Sequence, residues 1–211
     1  MELKGLKIAF LGDSITEGVG TTAPENIFHQ IISRKYGLSA AYNCGIGGTR
    51  IAKQTDPLFH CCHRYDMYFS LRVETLPKDV DAIVVFGGTN DFGHGDSMIG
   101  DTDSDDIYTF CGALNRLITS LKTTFPNSKI IFMTPLRRKT EAVPNINGYI
   151  LKDYVDSIIK VTQKYNIPVI DLFRSDILDP NDEQVLPDGL HPSDKGNAIM
   201  AEYIAKELQK F

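Results

Sequence analysis

The sequence of 211 residues has no apolar run that approaches the length of a membrane span, and it has no basic stripe. Its formal net charge of −5 argues against binding to nucleic acid or to an anionic membrane surface. The N-terminus, MELKGLKIAF, lacks the charged region, long apolar stretch and small-residue cleavage site that make up a signal peptide. We therefore expect a cytoplasmic protein with no nucleic-acid partner and no membrane span.

Cysteine is also scarce, with four residues in the chain. Cys44 and Cys111 lie in apolar or glycine-rich surroundings that are typical of small buried side chains. The run His60–His63 reads HCCH, which suggests a metal site. Four consecutive side chains converge poorly on one ion, however, and zinc sites normally space their ligands. We therefore expect no metal at this run.

The chain lacks internal repeats, low-complexity tracts and long linkers, so residues 1–211 are expected to form a single domain. Apolar runs alternate along it with segments of helical spacing. Such alternation is typical of parallel strands joined by right-handed helical crossovers, which gives an α/β fold with three layers, α/β/α. The predicted strands are Ile8–Leu11, Ala40–Asn43, Ala82–Gly87, Lys129–Thr134 and Pro168–Leu172.

Four helices are predicted from apolar residues spaced three and four apart. The first ends at Gly37, because glycine is a common residue just beyond a helix. The second runs to Phe125 and is closed by a proline, and the third ends near Asn166. The fourth is the C-terminal helix, marked by Ile199 and Leu208.

Two connections, Ile51–Asp81 and Phe92–Asp106, are longer than a crossover needs, and long loops in compact domains are usually functional or mobile. The second is acidic, and from Asp101 it begins like a calcium-binding loop. The pattern then fails, because the sixth position is Asp106 and not glycine. We expect a solvated loop there and a cap for a helix that starts near Ile107.

The first predicted strand ends at Gly12, Asp13 and Ser14. Chemistry in open α/β sheets collects beyond the carboxyl ends of the strands, so Ser14 lies where a nucleophile would lie. Aspartate and serine also cap helices, and capping is an equally good interpretation of these two residues alone. The choice depends on whether a base, an orienting acid and oxyanion donors follow elsewhere in the chain.

Glycines and an amide follow the second and third predicted strands. The glycines of Asn43–Thr49, among them Gly48, leave backbone N–H groups approachable, which suits an oxyanion hole. A plain tight turn is the alternative, and a dinucleotide fingerprint would need glycine where Arg50 stands. Asn90 can donate two N–H bonds from its amide, although asparagine is also a turn former.

An acid and a histidine occur three residues apart near the C-terminus, in Asp188-Gly189-Leu190-His191-Pro192. In a turn, Asp188 can reach the ring of His191, which fixes the tautomer and stabilises the imidazolium of a general base. Pro192 suits the first position of a helix, which would leave His191 at the mouth of that helix. A single Asp-x-x-His is common by chance, so the pair gains meaning only with the other motifs.

Together these motifs supply a nucleophile, oxyanion donors, a base and an orienting acid, the roles that an acyl-transfer site needs. The set resembles the SGNH, or GDSL-like, hydrolase superfamily of esterases and lipases. Gly12–Ser14 matches its first block, Gly48 the glycine of its second, Gly88–Asp91 its third and Asp188–His191 its fifth. Ile15 stands in place of the leucine of the family's name-giving motif, a variation that does not touch the chemistry.

The resemblance implies a flavodoxin-like sandwich with five parallel strands in the order 2-1-3-4-5. It also implies ester hydrolysis through an acyl-enzyme, with no metal and no cofactor. In this scheme Ser14 attacks, His191 takes and returns the proton, and Asp188 orients His191. The N–H groups of Ser14 and Gly48 and the amide of Asn90 would hold the oxyanion.

The superfamily includes lipases, thioesterases, lysophospholipases and carbohydrate acetylesterases, so membership leaves the substrate open. We expect a small-molecule ester with a short acyl group, such as an acetylated sugar, because polar, basic and aromatic side chains occur in the long loops and after the fourth strand. The alternatives are a lysophospholipase or thioesterase that acts on longer acyl chains, and a catalytically inactive flavodoxin-like binding domain. The side chains that favour a polar substrate are His60, His63, Arg64, Tyr65, Tyr68, Arg72, Phe92, His94, Arg137, Arg138 and Lys139.

Overall fold

The computed structural model describes residues 1–54, 66–95 and 97–211. Parallel strands form one five-stranded sheet, in which the second strand of the chain lies at one edge and the first lies beside it. The order is 2-1-3-4-5, which confirms the predicted topology. The strands are β1 (Lys7–Gly12), β2 (Ala40–Gly45), β3 (Ala82–Phe86), β4 (Lys129–Met133) and β5 (Val169–Ile170).

Helices connect the strands and cover both faces of the sheet. They are α1 (Ser14–Glu17), α2 (Phe28–Tyr36), α3 (Thr89–His94), α4 (Phe110–Thr124), α5 (Leu151–Lys164) and α6 (Asp194–Leu208), with short 3₁₀ helices at Pro24–Asn26 and Phe69–Thr75. Across the described residues, no helix is long and apolar enough to cross a bilayer.

The sheet is buried on both faces because the apolar residues of its central strands alternate between two cores. In β3, Ile83 and Val85 pack with α4 and α5 in one core. Val84 and Phe86 pack with α2 and α6 in the other core. A strand that feeds two cores needs a continuous apolar run, which explains why the sequence of this strand does not alternate. The arrangement confirms the three-layer α/β/α sandwich.

The predicted helix ends were partly right. Gly37 ends α2 with φ of 71°, a left-handed conformation that glycine adopts without strain. The helix expected near Ile107 begins at Phe110, because the side chain of Thr109 caps it by accepting from the N–H of Gly112. The C-terminal helix begins after Pro192, and its cap is Ser193, whose side chain accepts from the N–H of Gly196.

The last strand is shorter than the predicted Pro168–Leu172. β5 has two residues, and it pairs with β4 only through Phe132↔Val169 and Met133↔Ile170. Among the described strands it lies last in the sheet, beside β4, and the paired residues end where β4 ends. All five strands are parallel, so their carboxyl ends lie side by side along one end of the sheet. The predicted motifs follow these carboxyl ends.

Candidate active site

Ser14 is the first residue of α1, directly beyond the carboxyl end of β1. The preceding Asp13 caps this helix, and its Oδ1 accepts from the N–H of Ile15 at 3.1 Å. Aspartate therefore does the capping that the sequence allowed for either residue, and the serine hydroxyl remains available for other contacts. The side chain of Asp13 is buried, and burial raises its pKa to about 7 against the opposing bond from Ile15.

A hydrogen-bonded chain joins Ser14, His191 and Asp188. The Oγ of Ser14 lies 2.9 Å from Nε2 of His191. On the other side of the ring, Nδ1 lies 2.6 Å from Oδ2 of Asp188. A carboxylate at Nδ1 fixes the ring proton on that nitrogen, so Nε2 is left to accept from the serine hydroxyl. The three residues that the sequence predicted to act together are thus brought into contact.

Two backbone N–H groups donate hydrogen bonds to the carboxylate of Asp188. Its Oδ1 accepts from the N–H of Leu190 at 2.9 Å and of His191 at 2.7 Å. Partial burial pushes the pKa of Asp188 up, but the bonds from the ring and the backbone outweigh it and leave the pKa below its usual value. Asp188 is therefore ionised at neutral pH and can stabilise a positive imidazole.

The turn that carries Asp188 and His191 depends on Gly189. This residue has φ of 73°, and a Cβ there would lie 2.7 Å from Cβ of Lys139. The carbonyl of Gly189 also accepts from the N–H of Lys139 at 2.9 Å. The segment after β4 therefore braces the acid–base turn, a contact that the sequence did not indicate.

The segment Gly45–Thr49, here called the glycine loop, extends β2 along the same edge. A Cβ on Gly45 would clash with the backbone N of Glu17, so glycine is required where the loop passes α1. The Oε2 of Glu17 accepts from the N–H of Gly47 at 2.9 Å. Gly48 follows in a left-handed conformation with φ of 76°. The loop is therefore anchored on both sides of Gly48, since Thr49 bonds the carbonyl of Ile46 through its hydroxyl at 2.6 Å.

Asn90 lies in α3, just beyond the carboxyl end of β3, and its side chain is buried. Its Nδ2 donates to the carbonyl of Thr49 at 3.0 Å. The amide thus reaches across to the glycine loop instead of bonding its own turn, as the alternative interpretation would require. One of its two N–H groups is used in this contact, and the same contact brings the amide next to the loop that contains Gly48.

Asp91 follows Asn90 in the sequence, and no separate role was predicted for it. Its two carboxylate oxygens accept from the N–H of Ile51 at 3.1 Å and of Ala52 at 2.9 Å. Full burial raises its pKa to about 6, although these two bonds oppose the rise. Asp91 therefore ties the chain that leaves the glycine loop to α3. Its place directly after Asn90 in a turn motif was the only signal in the sequence.

Two residues expected to face a polar substrate are instead part of the interior. Arg72 is 2% exposed and Phe92 is 3% exposed. The guanidinium of Arg72 donates to backbone carbonyls and to a threonine hydroxyl below the site. The prediction for Arg72 and Phe92 was wrong because it considered the types of the residues and not their spacing along the chain. Phe69, Arg72, Val73 and Leu76 are all buried and recur at helical intervals that mark one inward face.

The basic residues after β4 behave differently from one another. Arg137 forms ion pairs with Glu141 and Asp176 and is a surface residue. Arg138 is half-buried, with NH1 at 3.2 Å from both the carbonyl and the hydroxyl of Thr89, and its guanidinium lies 5.4 Å from the ring centroid of Phe92. Burial lowers its pKa, and the charges of Asp188 and Asp13 oppose that shift. Arg138 is therefore a cation at the side of the predicted site.

The two motifs weighed as metal sites are placed as follows. The run His60–His63 lies outside the described residues. In the acidic loop, Oδ1 of Asp101 accepts from the N–H of Asp103 at 2.8 Å, and Oδ1 of Asp106 accepts from the N–H of Tyr108 at 3.0 Å. These carboxylates serve local turns. Among residues 1–54, 66–95 and 97–211, no group of three or more His, Cys, Asp or Glu side chains is arranged to hold a metal ion.

Comparisons with known proteins extend the picture from the site to the whole chain. No curated protein matches the sequence. A solved structure of a protein from Lactobacillus plantarum is 29% identical, with a TM-score of 0.84 over 98% of both chains. An acetyl xylan esterase, AlAXEase, is 27% identical, with a TM-score of 0.65 over 96% of this chain and 100% of its own. A lipase/acylhydrolase from Enterococcus faecalis is 24% identical, with a TM-score of 0.67 over 97% of this chain and 96% of its own.

The match to a family rests on the sequence itself. The model of the GDSL-like Lipase/Acylhydrolase family matches residues 10–199, which is most of the chain and includes all of the motifs described above. The resemblance inferred from four short motifs is thereby confirmed. This chain belongs to the GDSL-like lipase/acylhydrolase family.

Proposed function

We propose that this protein is a serine ester hydrolase that works through an acyl-enzyme. The observation that carries the proposal is the chain from Ser14 Oγ to His191 Nε2 at 2.9 Å, and from His191 Nδ1 to Asp188 Oδ2 at 2.6 Å. A hydroxyl bonded to a base, which is in turn bonded to an ionised acid, is the arrangement that activates a serine for attack. Family membership supports an acylhydrolase, and the geometry supports these three residues as its triad.

In the proposed reaction, Oγ of Ser14 attacks the ester carbonyl while Nε2 of His191 takes the hydroxyl proton. The alcohol leaves with that proton, and the acyl group stays on Ser14. A water molecule then attacks the acyl-enzyme, with His191 again removing a proton and returning it to Ser14 as the acid is released. Asp188 stabilises the imidazolium that forms in both steps.

The oxyanion of each tetrahedral intermediate needs donors that are fixed before the charge develops. We assign this role to the N–H groups of Ser14 and Gly48 and to the amide of Asn90. The anchoring bonds of the glycine loop use the N–H of Gly47 and the hydroxyl of Thr49. The N–H of Gly48 lies between these two anchors. The bond from Asn90 to the carbonyl of Thr49 holds the amide against the same loop.

For the substrate, we propose a short acyl ester of a polar alcohol, such as an acetylated sugar. Arg138 supports this choice, since its half-buried guanidinium lies near enough to Asp188 and Asp13 for their charges to act on it. A cation beside the acid–base pair suits an alcohol that carries oxygen atoms more than it suits a hydrocarbon chain. The likeness to an acetyl xylan esterase at 27% identity points in the same direction.

An ester panel tests both parts of the proposal. Initial rates are measured with p-nitrophenyl acetate, butyrate and octanoate and with an acetylated xylan, in the presence of EDTA. We expect acetate and the acetylated sugar to be turned over best, without inhibition by the chelator. Preference for octanoate would overturn the substrate assignment but leave the hydrolase assignment intact.

The nucleophile is tested with Ser14→Ala, and Ser39→Ala is the matched control because Ser39 is exposed and lies just before β2, at the opposite edge of the sheet. Ser14→Ala should remove nearly all turnover and all labelling by a fluorophosphonate, and Ser39→Ala should change neither. Adding His191→Ala to Ser14→Ala should cost little more, because triad members act as a unit. Full labelling of the Ser14→Ala protein, or absence of labelling in the wild type, would contradict the proposal and favour a binding domain.

A further inference from the structure

A buried cation lies behind the proposed oxyanion hole. Arg72 belongs to the 3₁₀ helix Phe69–Thr75, in the long connection between β2 and β3. It is 2% exposed, and its guanidinium lies 4.6 Å from the ring centroid of Phe69, a favourable cation–π distance. That ring in turn packs against the end of β3, where a Cβ on Gly87 would lie 2.6 Å from it. The 3₁₀ helix therefore packs against the carboxyl end of β3, next to the proposed site.

The guanidinium bonds three separate segments of that edge. NH1 donates to the carbonyl of Cys44 at 2.9 Å, and NH2 donates to the carbonyl of Gly12 at 3.0 Å. NH2 also donates to the hydroxyl of Thr49 at 3.1 Å. Gly12 is the last residue of β1 and lies two residues before Ser14. Cys44 directly precedes the glycine loop, and Thr49 is its last residue. One side chain thus touches the segment of the nucleophile and both ends of the loop that carries Gly48.

The same contacts extend to the third part of the proposed oxyanion hole. Thr49 receives Arg72 on its hydroxyl and receives Nδ2 of Asn90 on its carbonyl at 3.0 Å. The carbonyl of Gly12 also accepts from the N–H of Ile46 at 3.1 Å, so β1 and the glycine loop are bonded directly as well. Arg72 lies at the centre of this network, since it is bonded to both sides of it.

We propose that Arg72 is a positioning residue for ester hydrolysis, which fixes the N–H of Gly48 relative to Ser14 by holding the carbonyls of Gly12 and Cys44 and the hydroxyl of Thr49. The proposal rests on the function proposed above. Arg72 is not a catalytic residue in this account, because its bonds go to the scaffold and it does not touch the substrate. Its effect on the reaction comes from the distance that it imposes between the nucleophile and the oxyanion donors.

The chemistry of arginine suits this role. Its planar guanidinium has donors in fixed directions, so one group can bond two carbonyls and a hydroxyl that belong to different segments. The ammonium of lysine is a compact charge on a flexible stem and would not reproduce that geometry. Burial lowers the pKa of Arg72 to about 10, with the nearby carboxyl of Asp13 opposing the shift, so the side chain remains charged at neutral pH.

A purely structural role for Arg72 makes a different forecast. If Arg72 only fills and stabilises the interior, a variant should lose stability. Its activity should then fall no further than that of another core variant with the same stability. If Arg72 positions the donors, the loss should fall on kcat and leave KM nearly unchanged. Misplacement of reacting groups by about 1 Å can cost about 100-fold in rate, even when the changed residue is remote from the chemistry.

The experiment compares Arg72→Lys and Arg72→Met with a core variant, Leu117→Ala, which changes a fully buried residue of α4 far along the chain from the site. Melting temperature, kcat and KM are measured for each protein at saturating and limiting p-nitrophenyl acetate. We expect kcat to fall about 10- to 100-fold in both Arg72 variants. The control should keep kcat within about twofold at a similar loss of melting temperature, because the apolar side chain of Leu117 makes none of the hydrogen bonds that hold the glycine loop.

Amide hydrogen exchange provides a readout that does not depend on activity. In Arg72→Lys, peptides that cover residues 12–18 and 44–50 should exchange about tenfold faster, the change that loss of one hydrogen bond corresponds to. Peptides from α4 should exchange as in the wild type. If Arg72→Met does not fold, Arg72→Lys carries the test alone.

The outcomes separate this inference from the proposed function. If the amide hydrogen exchange of residues 44–50 is unchanged in the Arg72 variants, the inference is overturned whatever their activity. It is also overturned if exchange is faster but kcat is retained. Equal loss of kcat in Leu117→Ala also overturns it, in favour of a structural role. If the wild type hydrolyses none of the esters, the proposed function fails, and faster exchange in the Arg72 variants would still show that Arg72 holds the loops.

Discussion

We expect the buried imidazole of His29, which contacts the helix that carries Ser14, to make the stability of the protein sensitive to acid. The ring is fully buried, and its Nε2 lies 3.0 Å from the carbonyl O of Thr16 in α1. A carbonyl can only accept, so Nε2 carries the proton and donates. Nδ1 then accepts from the side-chain amide of Gln30 at 3.2 Å. A second proton on Nδ1 would set two donors against each other at a buried ring, so the neutral ring is the form that fits.

The magnitude follows from the two pKa values of this ring. Burial lowers the pKa of His29 from 6.5 to about 4, although the bond to Thr16 opposes the shift. Between these values the unfolded chain binds a proton that the folded protein excludes. The contribution is therefore complete above pH 6.5 and is lost as the pH falls toward 4. The shift in pKa corresponds to a contribution of about 3 kcal/mol to the free energy of unfolding, of which about 2 kcal/mol is lost by pH 5.

The assay is urea unfolding of the wild type and of His29→Gln at about pH 7.5 and about pH 5. Glutamine keeps a donor for the carbonyl of Thr16 but does not titrate. We expect the wild type to lose about 2 kcal/mol more free energy of unfolding between the two pH values than the variant loses. Asp13 and Asp91, whose pKa values are raised, give contributions of the opposite sign, but both proteins contain them and the comparison cancels them.

His94→Gln is the matched control, since His94 is exposed on the same molecule. Its stability should change with pH as that of the wild type does. The reasoning about His29 would be refuted if His29→Gln lost as much stability on acidification as the wild type. It would also be refuted if His94→Gln, and not His29→Gln, removed the acid sensitivity.

Three further predictions concern the supports of the site. Asp188→Asn should lower kcat by about 10³- to 10⁴-fold at unchanged melting temperature, because it favours the wrong tautomer of His191, and a normal rate would exclude the triad. Asp91→Asn should lower the free energy of unfolding by about 1–3 kcal/mol in urea, since an amide sets a donor against a backbone N–H; an unchanged midpoint would contradict this. Gly45→Ala should reduce both activity and melting temperature, because its Cβ would clash with the backbone of Glu17, and wild-type values would show that the loop can move aside.

Most of the fold could be predicted because its signals are local. The continuous apolar run of β3 reports two buried faces, and Gly37 reports the end of α2. The errors are also local. The start of α4 was misplaced because several residues of the acidic loop are good caps, and the choice of Thr109 depends on how the loop packs. The length of β5 depends on where its neighbour β4 ends, which the sequence of β5 itself does not specify.

The candidate site divides in the same way between the groups proposed to take part in the reaction and the groups that hold them in place. Ser14, Asn90, Asp188 and His191 were predicted from the sequence because each follows a strand end or lies in a turn, and because together they supply the roles of one reaction. The supports were missed because their contacts span long stretches of sequence: 60 residues separate Arg72 from Gly12, and 39 separate Asp91 from Ala52.

No local pattern specifies such a support, since a buried arginine or aspartate is costly unless distant partners meet it. That cost makes the supports informative once the structure is known. Arg72, Asp91 and Asp13 are buried ionisable side chains that follow or lie beneath the carboxyl ends of the strands, and each bonds backbone groups of a segment of the site. Their position is explained if the loops they bond must be held at fixed distances for chemistry. The same argument predicts that an apolar replacement of Arg72 lowers kcat by more than its loss of stability explains, whereas truncation of a buried apolar residue of α4 lowers stability and leaves kcat nearly unchanged.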